Sequence, residues 1–180
     1  MDTMQYTHLY RSPLGTITLA ADSEGLTGLW FEGQKYFAAT LDAQHEETML
    51  PIFEQTRRWL DNYFGGNDPG PTPPLHLQDS PFRLAVWEIL RQIPFGKTIT
   101  YGEIAREIAR RQGSKTVPAQ AVGGAVGHNP VSIIVPCHRV VGSNGSLTGY
   151  AGGIERKVRL LALEKADMTG LFAPQKGTAL

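Results

Sequence analysis

TYGEIAREIARRQGSKTVPAQAVGGAV, residues Thr100–Val126, decides the architecture. Thr100 followed three residues later by Glu103 is a capping box, in which each side chain satisfies a backbone N–H that the first helical turn leaves open. Ile104, Ala105, Ile108 and Ala109 recur at helical spacing, with Arg106, Arg110 and Arg111 on the other side. After the polar turn Gln112–Thr116, Pro118 restarts a helical segment, Ala119–Val126, which ends at Gly127-His128-Asn129-Pro130. Two short helices around a tight turn predict a helix-turn-helix.

Upstream, Ser80-Pro81 supplies an N-cap and a first-turn proline, and Phe82, Val86, Ile89 and Leu90 form one apolar face until Pro94. Downstream, Ile133–Val135 reads as a short buried strand, and Glu155–Lys165 as a helix with Ile154, Val158 and Leu161 on its apolar face. The first half differs. Thr7–Tyr10, Thr16–Ala21 and Leu26–Phe31 are apolar runs separated by Ser12-Pro13-Leu14-Gly15 and Asp22-Ser23-Glu24-Gly25, a strand meander. Met49–Phe64 carries Ile52, Phe53, Thr56, Trp59, Leu60 and Tyr63 at helical spacing before Gly65-Gly66 stops it. Pro69, Pro71, Pro73 and Pro74 with Gly70 stiffen the stretch between. The expectation is an α+β chain of two lobes. Residues 1–67 form a sheet-and-helix scaffold, 68–79 a proline-rich linker, 80–166 a mainly helical lobe and 167–180 a tail.

The chain has equal numbers of Lys+Arg and Asp+Glu, 17 each. Residues 1–80 hold 4 basic against 11 acidic residues (4 − 11 = −7), and residues 81–180 hold 13 against 6 (13 − 6 = +7). The second half is therefore the one that should seek polyanions. No apolar run approaches the roughly 20 residues of a membrane span, and Met1–Thr7 has no signal-peptide character, so a cytoplasmic protein is expected. The single cysteine, Cys137, excludes an internal disulfide and a cysteine-rich zinc site. His45 and His76 stand alone and read as surface or packing residues.

Pro136-Cys137-His138-Arg139-Val140 follows the expected buried strand directly. A lone buried cysteine is commonly an inert core residue, and neighbouring side chains on a strand seldom hydrogen-bond to each other. The residues alone leave packing and nucleophile both open.

A longer pattern is present. Val135-Pro136-Cys137-His138-Arg139-Val140-Val141 resembles the active-site signature of the O6-alkylguanine-DNA alkyltransferases. The resemblance continues through Thr100-Tyr101-Gly102, Ala121-Val122-Gly123-Gly124, Asn129-Pro130, Gly149-Tyr150-Ala151-Gly152-Gly153 and Leu160–Glu164. It covers the C-terminal lobe specifically, and the N-terminal lobe in its general, ribonuclease H-like outline. The resemblance implies that the helical lobe is winged-helix-like and carries the active site. It also implies DNA repair by direct reversal, with an alkyl group moving irreversibly and once per molecule from O6-alkylguanine, and O4-alkylthymine, to Cys137.

Attack at a saturated carbon needs a soft nucleophile, and a free thiol with pKa about 8.5 is only slightly ionised at neutral pH. The family pattern makes His138 its base, through a water, with Glu164 orienting the imidazole. Tyr101 becomes the proton donor to the leaving base, and Asn129 braces the turn before the cysteine. Val140, Tyr150, Ala151 and Gly152 line the base pocket. Gln120, Ala121, Gly123, Gly124 and Arg139 meet duplex DNA, entered through the minor groove, with the damaged base flipped out. The free protein is expected to be a monomer, with no cofactor and no metal. Two positions depart from the family: Gln120 stands where an arginine usually fills the vacated base site, and Ala151 where many members have serine. A non-catalytic lesion-binding relative would lack the cysteine. A cysteine hydrolase would need an oxyanion site and would turn over repeatedly.

Overall fold

The computed structural model describes residues 4–174. They form two compact units: the chain up to Gln78 together with Pro130–Ile134, and Asp79–Asn129 together with the chain from Val135 onward.

The first unit is built on the expected meander. Strand β1 (Gln5–Ser12) pairs antiparallel with β2 (Gly15–Ala21), and β2 with β3 (Leu26–Phe31), both across short turns. A three-residue strand β4 (His45–Glu47) joins the free edge of β1 in parallel. All three of its side chains are exposed, so it has no apolar alternation for sequence reading to detect. Helix α1 (Pro51–Phe64) buries Phe53, Thr56, Leu60 and Tyr63, a 3-4-3 spacing that keeps one face on the core. Tyr10 donates to Asp61 at 2.7 Å, and the His8 ring stacks on Phe53.

Two sequence expectations change here. The proline-rich stretch is not a separate linker. Pro74 accepts from the Leu26 amide at 2.9 Å, the His76 amide donates to Leu26 at 2.8 Å, and Leu75 bridges to Leu26. An extended segment without helical options lies against a strand edge and satisfies its backbone there. Nor is Ile133–Val135 a strand. Only Val131 bridges to Leu29, Ile133 takes a φ of 70°, and the Ile134 amide closes on Ser132 at 2.8 Å. A β-branched residue in the left-handed region ends any extended run, so the stretch is buried but turned.

The second unit opens with α2 (Pro81–Arg91), whose Ser80 hydroxyl accepts from the Arg83 amide. The parallel pair β5 (Ile99–Thr100) and β6 (Val140–Val141) follows, then α3 (Tyr101–Gln112) and α4 (Ala119–Gly127). Thr100 caps α3 as expected by accepting from the Glu103 amide at 3.1 Å, and Gly113, at a φ of 68°, closes it. Trp87 of α2 donates its indole N–H to Ala125 of α4 at 2.7 Å. Helix α5 (Ile154–Leu163) buries Lys157, Leu160 and Leu161, so the buried face is rotated from the Ile154-Val158-Leu161 stripe read in the sequence. The expected tail is not detached at its start: Phe172 bridges to Ser146, and Met168 and Leu171 pack on Val141, Leu147, Leu161 and Ala166. Residues 175–180 of that tail lie outside the described residues.

Candidate active site

The two-residue ladder of β5 and β6 assembles the site, because Tyr101 follows β5 immediately and Cys137-His138-Arg139 precede β6. Cys137–Arg139 form one 3-10 turn, so the cysteine and histidine sit on a tight turn just past Pro136, where the sequence breaks its apolar run. The turn begins at Pro136, whose missing N–H suits the start of a turn. Asn129 donates from one amide nitrogen to Val135 O at 2.7 Å and to Cys137 Sγ at 3.2 Å. It thus pins both ends of the excursion that Pro130–Ile134 makes into the first unit. Its bracing role is joined by a direct hydrogen bond to the nucleophile candidate.

Cys137 is 5% exposed, and burial pushes its thiol above the ordinary value. The Asn129 amide, the Lys157 ammonium and the backbone N–H groups of Cys137 and His138 act against that rise. Each of these groups favours a sulfur anion.

His138 is fully buried, with Nε2 2.5 Å from Glu164 Oε2. Burial lowers its pKa, against the pull of the Glu164 carboxylate, so the resting imidazole is neutral. Glu164 is 3% exposed, at the C-cap of α5. Oε1 accepts from Arg139 Nε at 2.8 Å and from the Gly96 amide at 3.0 Å, and Oε2 accepts from Arg139 Nη2 at 3.1 Å. Burial alone would raise this carboxyl. The His138 and Arg139 partners override it and hold Glu164 well below the usual carboxylate range. The remaining Arg139 donor reaches Ile93 O at 2.7 Å, and its guanidinium lies over the Phe95 ring.

Arg139 is therefore corrected from a DNA-facing residue to a buried holder of Glu164, because its donors are directed inward to the carboxylate and to Ile93. Gly96 went unnoticed in the sequence. It takes a φ of 80°, and a Cβ there would meet Glu164 O at 3.0 Å; the Pro94-Phe95-Gly96 turn was its only signal.

Lys157 was missed outright. It is fully buried, donating to Val140 O and Thr148 O, and burial lowers its pKa to about 8 while the neighbouring Cys137 sulfur opposes that drop. Thr148 O also accepts from the Tyr101 hydroxyl at 3.2 Å. Burial, and then the Cys137 charge, push the Tyr101 phenol up, so it keeps its proton.

Tyr150 is buried with its ring edge-on to His138. A Cβ on Gly152 would come within 2.5 Å of the Tyr150 ring, which is why that position is glycine. Val140 is buried and Ala151 half-buried beside them. On α4, Gln120 and Ala121 are exposed, Gly123 is buried, and Gly124 has open space where a Cβ would stand.

The two units each match a family model. Residues 5–76 match the ribonuclease-like domain of 6-O-methylguanine DNA methyltransferase, and residues 81–166 match its DNA-binding domain. The chain belongs to the 6-O-methylguanine DNA methyltransferase family. Among its relatives in that family is a methylated-DNA–protein-cysteine methyltransferase of Haemophilus influenzae, 41% identical over 92% of this chain and 88% of the relative. Another, from Mycobacterium tuberculosis, is 43% identical over 88% of this chain and 93% of its own length. The fold agrees with a Mycobacterium tuberculosis structure described as OGT in complex with DNA, with a TM-score of 0.76 at 40% identity over 93% of this chain and 99% of that one.

Proposed function

We propose that this protein repairs alkylated DNA directly, moving the alkyl group of O6-alkylguanine, and also of O4-alkylthymine, to Cys137 in one irreversible turnover. The supporting observation is the order Cys137, His138, Glu164: a buried thiol beside an imidazole whose Nε2 is committed to a carboxylate held in turn by Arg139 and Gly96. His138 Nδ1, the nitrogen facing away from Glu164, takes the thiol proton through a water. The sulfur attacks the alkyl carbon, the S–C bond forms as the C–O6 bond breaks, and the electron pair passes to guanine. Tyr101, whose phenol keeps its proton, donates a hydrogen bond to the ring as charge develops there, and the proton taken up by His138 passes through water to guanine. The thiol proton thus ends on guanine and the alkyl group on sulfur. A thioether has no activated bond for water to attack, so the protein is consumed, and no cofactor takes part.

Lys157 supports the charged step, since its ammonium lies where a developing thiolate would feel it. The target carbon of a stacked base is reached by flipping, at a cost of a few kcal/mol. Helix α4 enters the minor groove, its open Gly124 permitting close backbone approach and Gln120 filling the vacated site. The protein acts as a monomer in the cytoplasm and binds duplex DNA through phosphates without reading sequence. Among the described residues no helix is long and apolar enough to cross a membrane. Mass spectrometry of the full chain after incubation with an O6-methylguanine duplex tests the reading. One methyl group in place of one hydrogen on the Cys137 peptide, at a one-to-one limit, is the expected result. Repeated turnover, or a modification elsewhere, overturns it.

A further inference from the structure

We propose, on the reading of Cys137 as the alkyl acceptor, that Lys165–Phe172 is a strap that positions Thr148 O, the shared anchor of Tyr101 and Lys157, for the transfer reaction. Sequence reading set residues 167–180 apart as a tail. The end of α5 turns the chain back instead. Lys165 takes a φ of 56°, its amide donates to Ala162 O at 3.0 Å, and the Ala166 amide donates to Leu161 O at 3.0 Å. This pair of bonds around a left-handed residue reverses the chain at a helix end. The reversal comes directly after Glu164, so one end of the strap is fixed at the residue whose carboxylate holds His138.

The other end is fixed beside Thr148. Phe172 donates its amide to Gly145 O at 3.0 Å and accepts from the Leu147 amide at 2.9 Å, a parallel bridge that flanks Ser146. Between the ends, the Thr169 amide donates to Asp167 Oδ1 at 3.0 Å, and Met168 and Leu171 pack on Val141, Leu147, Leu161 and Ala166. Gly145 permits the close approach: it takes a φ of 92°, and a Cβ there would stand 2.0 Å from Gly170 O. The Phe172 side chain is 45% exposed, so its backbone and not its ring makes the attachment.

Thr148 follows Leu147 at once, and its carbonyl accepts from the Tyr101 hydroxyl at 3.2 Å and from Lys157 Nζ at 3.0 Å. A loop carbonyl places two side chains only as firmly as the loop itself is held. This loop is held by the strap and by its own turn, in which the Gly142 amide donates to Ser146 O at 2.8 Å. The charged and titratable groups around the sulfur are Lys157 from α5, Tyr101 from α3 and, on its own turn, His138, with Glu164 and Arg139 beyond the imidazole. Lys157 supplies the charge that favours a thiolate. Loosening the strap lets Thr148 O shift, which takes one carbonyl acceptor from Lys157 and one from Tyr101, and the sulfur loses part of its support.

The test compares full-length Gly145→Ala and Leu171→Ala with the wild type, using iodoacetamide as a probe of the thiol and hydrogen exchange as a probe of the strap. Gly145→Ala drives a methyl group into Gly170 O, so the Leu147 amide should exchange faster. The pH midpoint of Cys137 alkylation should rise by about half a unit or more. Methyl transfer from an O6-methylguanine duplex should slow by about tenfold or more, with DNA affinity unchanged. Leu171→Ala removes an apolar anchor without a clash; it should move each readout the same way by less, and it carries the test if Gly145→Ala fails to fold. Leu171→Met and Phe172→Ala should behave as wild type, since the first keeps its volume and the second loses only a solvent-facing ring. The proposal is overturned if the Leu147 amide opens in either variant while the thiol midpoint stays in place, or if that amide stays protected in both. The iodoacetamide and exchange readouts need no DNA, so absence of methyl transfer in the wild type would count against Cys137 as acceptor and not against the strap.

Discussion

The two units bury different kinds of residue. The first hides Thr7, Gln34, Thr56 and Ser132 as its polar interior, all uncharged, whereas every buried Lys, Arg or Glu among the described residues, Arg139, Lys157 and Glu164, lies in the second. His138 lies there too, neutral at rest. Burying an ion costs several kcal/mol even after relaxation, and only close partners offset it. A chain that needed only stability would fill these places with apolar side chains, as the first unit does around Trp30, Phe31 and Phe53. The second unit accepts the cost around one sulfur atom. Concentrated buried charge marks the candidate site better than a cleft does, since a cleft of 560 Å³ lies in the other unit.

The comparison is broken most directly at Cys137. Cys137→Ser should abolish transfer to below detection while leaving affinity for alkylated duplex nearly unchanged, because the hydroxyl is close to isosteric but far less nucleophilic. Measurable transfer by this variant, or lost DNA binding, would mean that the buried charges serve another purpose.

Glu164→Gln comes next, since it removes the one anion between His138 and Arg139. Leaving Arg139 buried without its partner should cost about 3–5 kcal/mol in urea unfolding, and the lost orientation of His138 should slow transfer by about 10²–10⁴-fold. The pH dependence follows from the direction of the shift. Glu164 is held below the unfolded carboxylate value of about 4.3, so its contribution is complete above that pH and is lost as pH falls toward the folded value. The stability gap between wild type and Glu164→Gln should therefore narrow on acidification below about 4.3. A gap that stays constant with pH would assign Glu164 a merely steric role.

Lys157→Met sharpens the comparison by testing whether a single buried cation tunes the sulfur. Removing it should raise the Cys137 thiol pKa, shifting the pH profile of alkylation by a small iodoacetamide probe upward by about one unit or more, and should slow transfer most at neutral pH. An unchanged profile would make Lys157 only a tether of Val140 and Thr148.

The smallest expected effect is at Gln120, an exposed position remote from the buried network. Gln120→Arg should speed repair of duplex a few-fold while leaving reaction with the free modified base unchanged, because only a stacked base must be flipped. Equal gains on both substrates would remove Gln120 from the extrusion step.

Much of this was legible in one dimension. Helical periodicity, the Ser80 and Thr100 caps and the strand meander are local properties, read within a few residues, and the structure has them within two residues of where they were expected. Charge segregation is equally a property of composition. The signature around Cys137 told which chemistry to look for, and the structure bonds Asn129 to Cys137 Sγ and His138 to Glu164. What the tertiary structure alone decided is which polar side chains are buried and what they meet there. Lys157 drew no reading from the sequence, and Arg139 was expected to meet DNA, whereas packing turns both inward. Gly96, 68 residues from Glu164, donates to its carboxylate, and β4 pairs by backbone alone. The physical reason is that secondary structure answers to neighbours along the chain, whereas desolvation and charge pairing depend on neighbours in space, which no period or composition encodes.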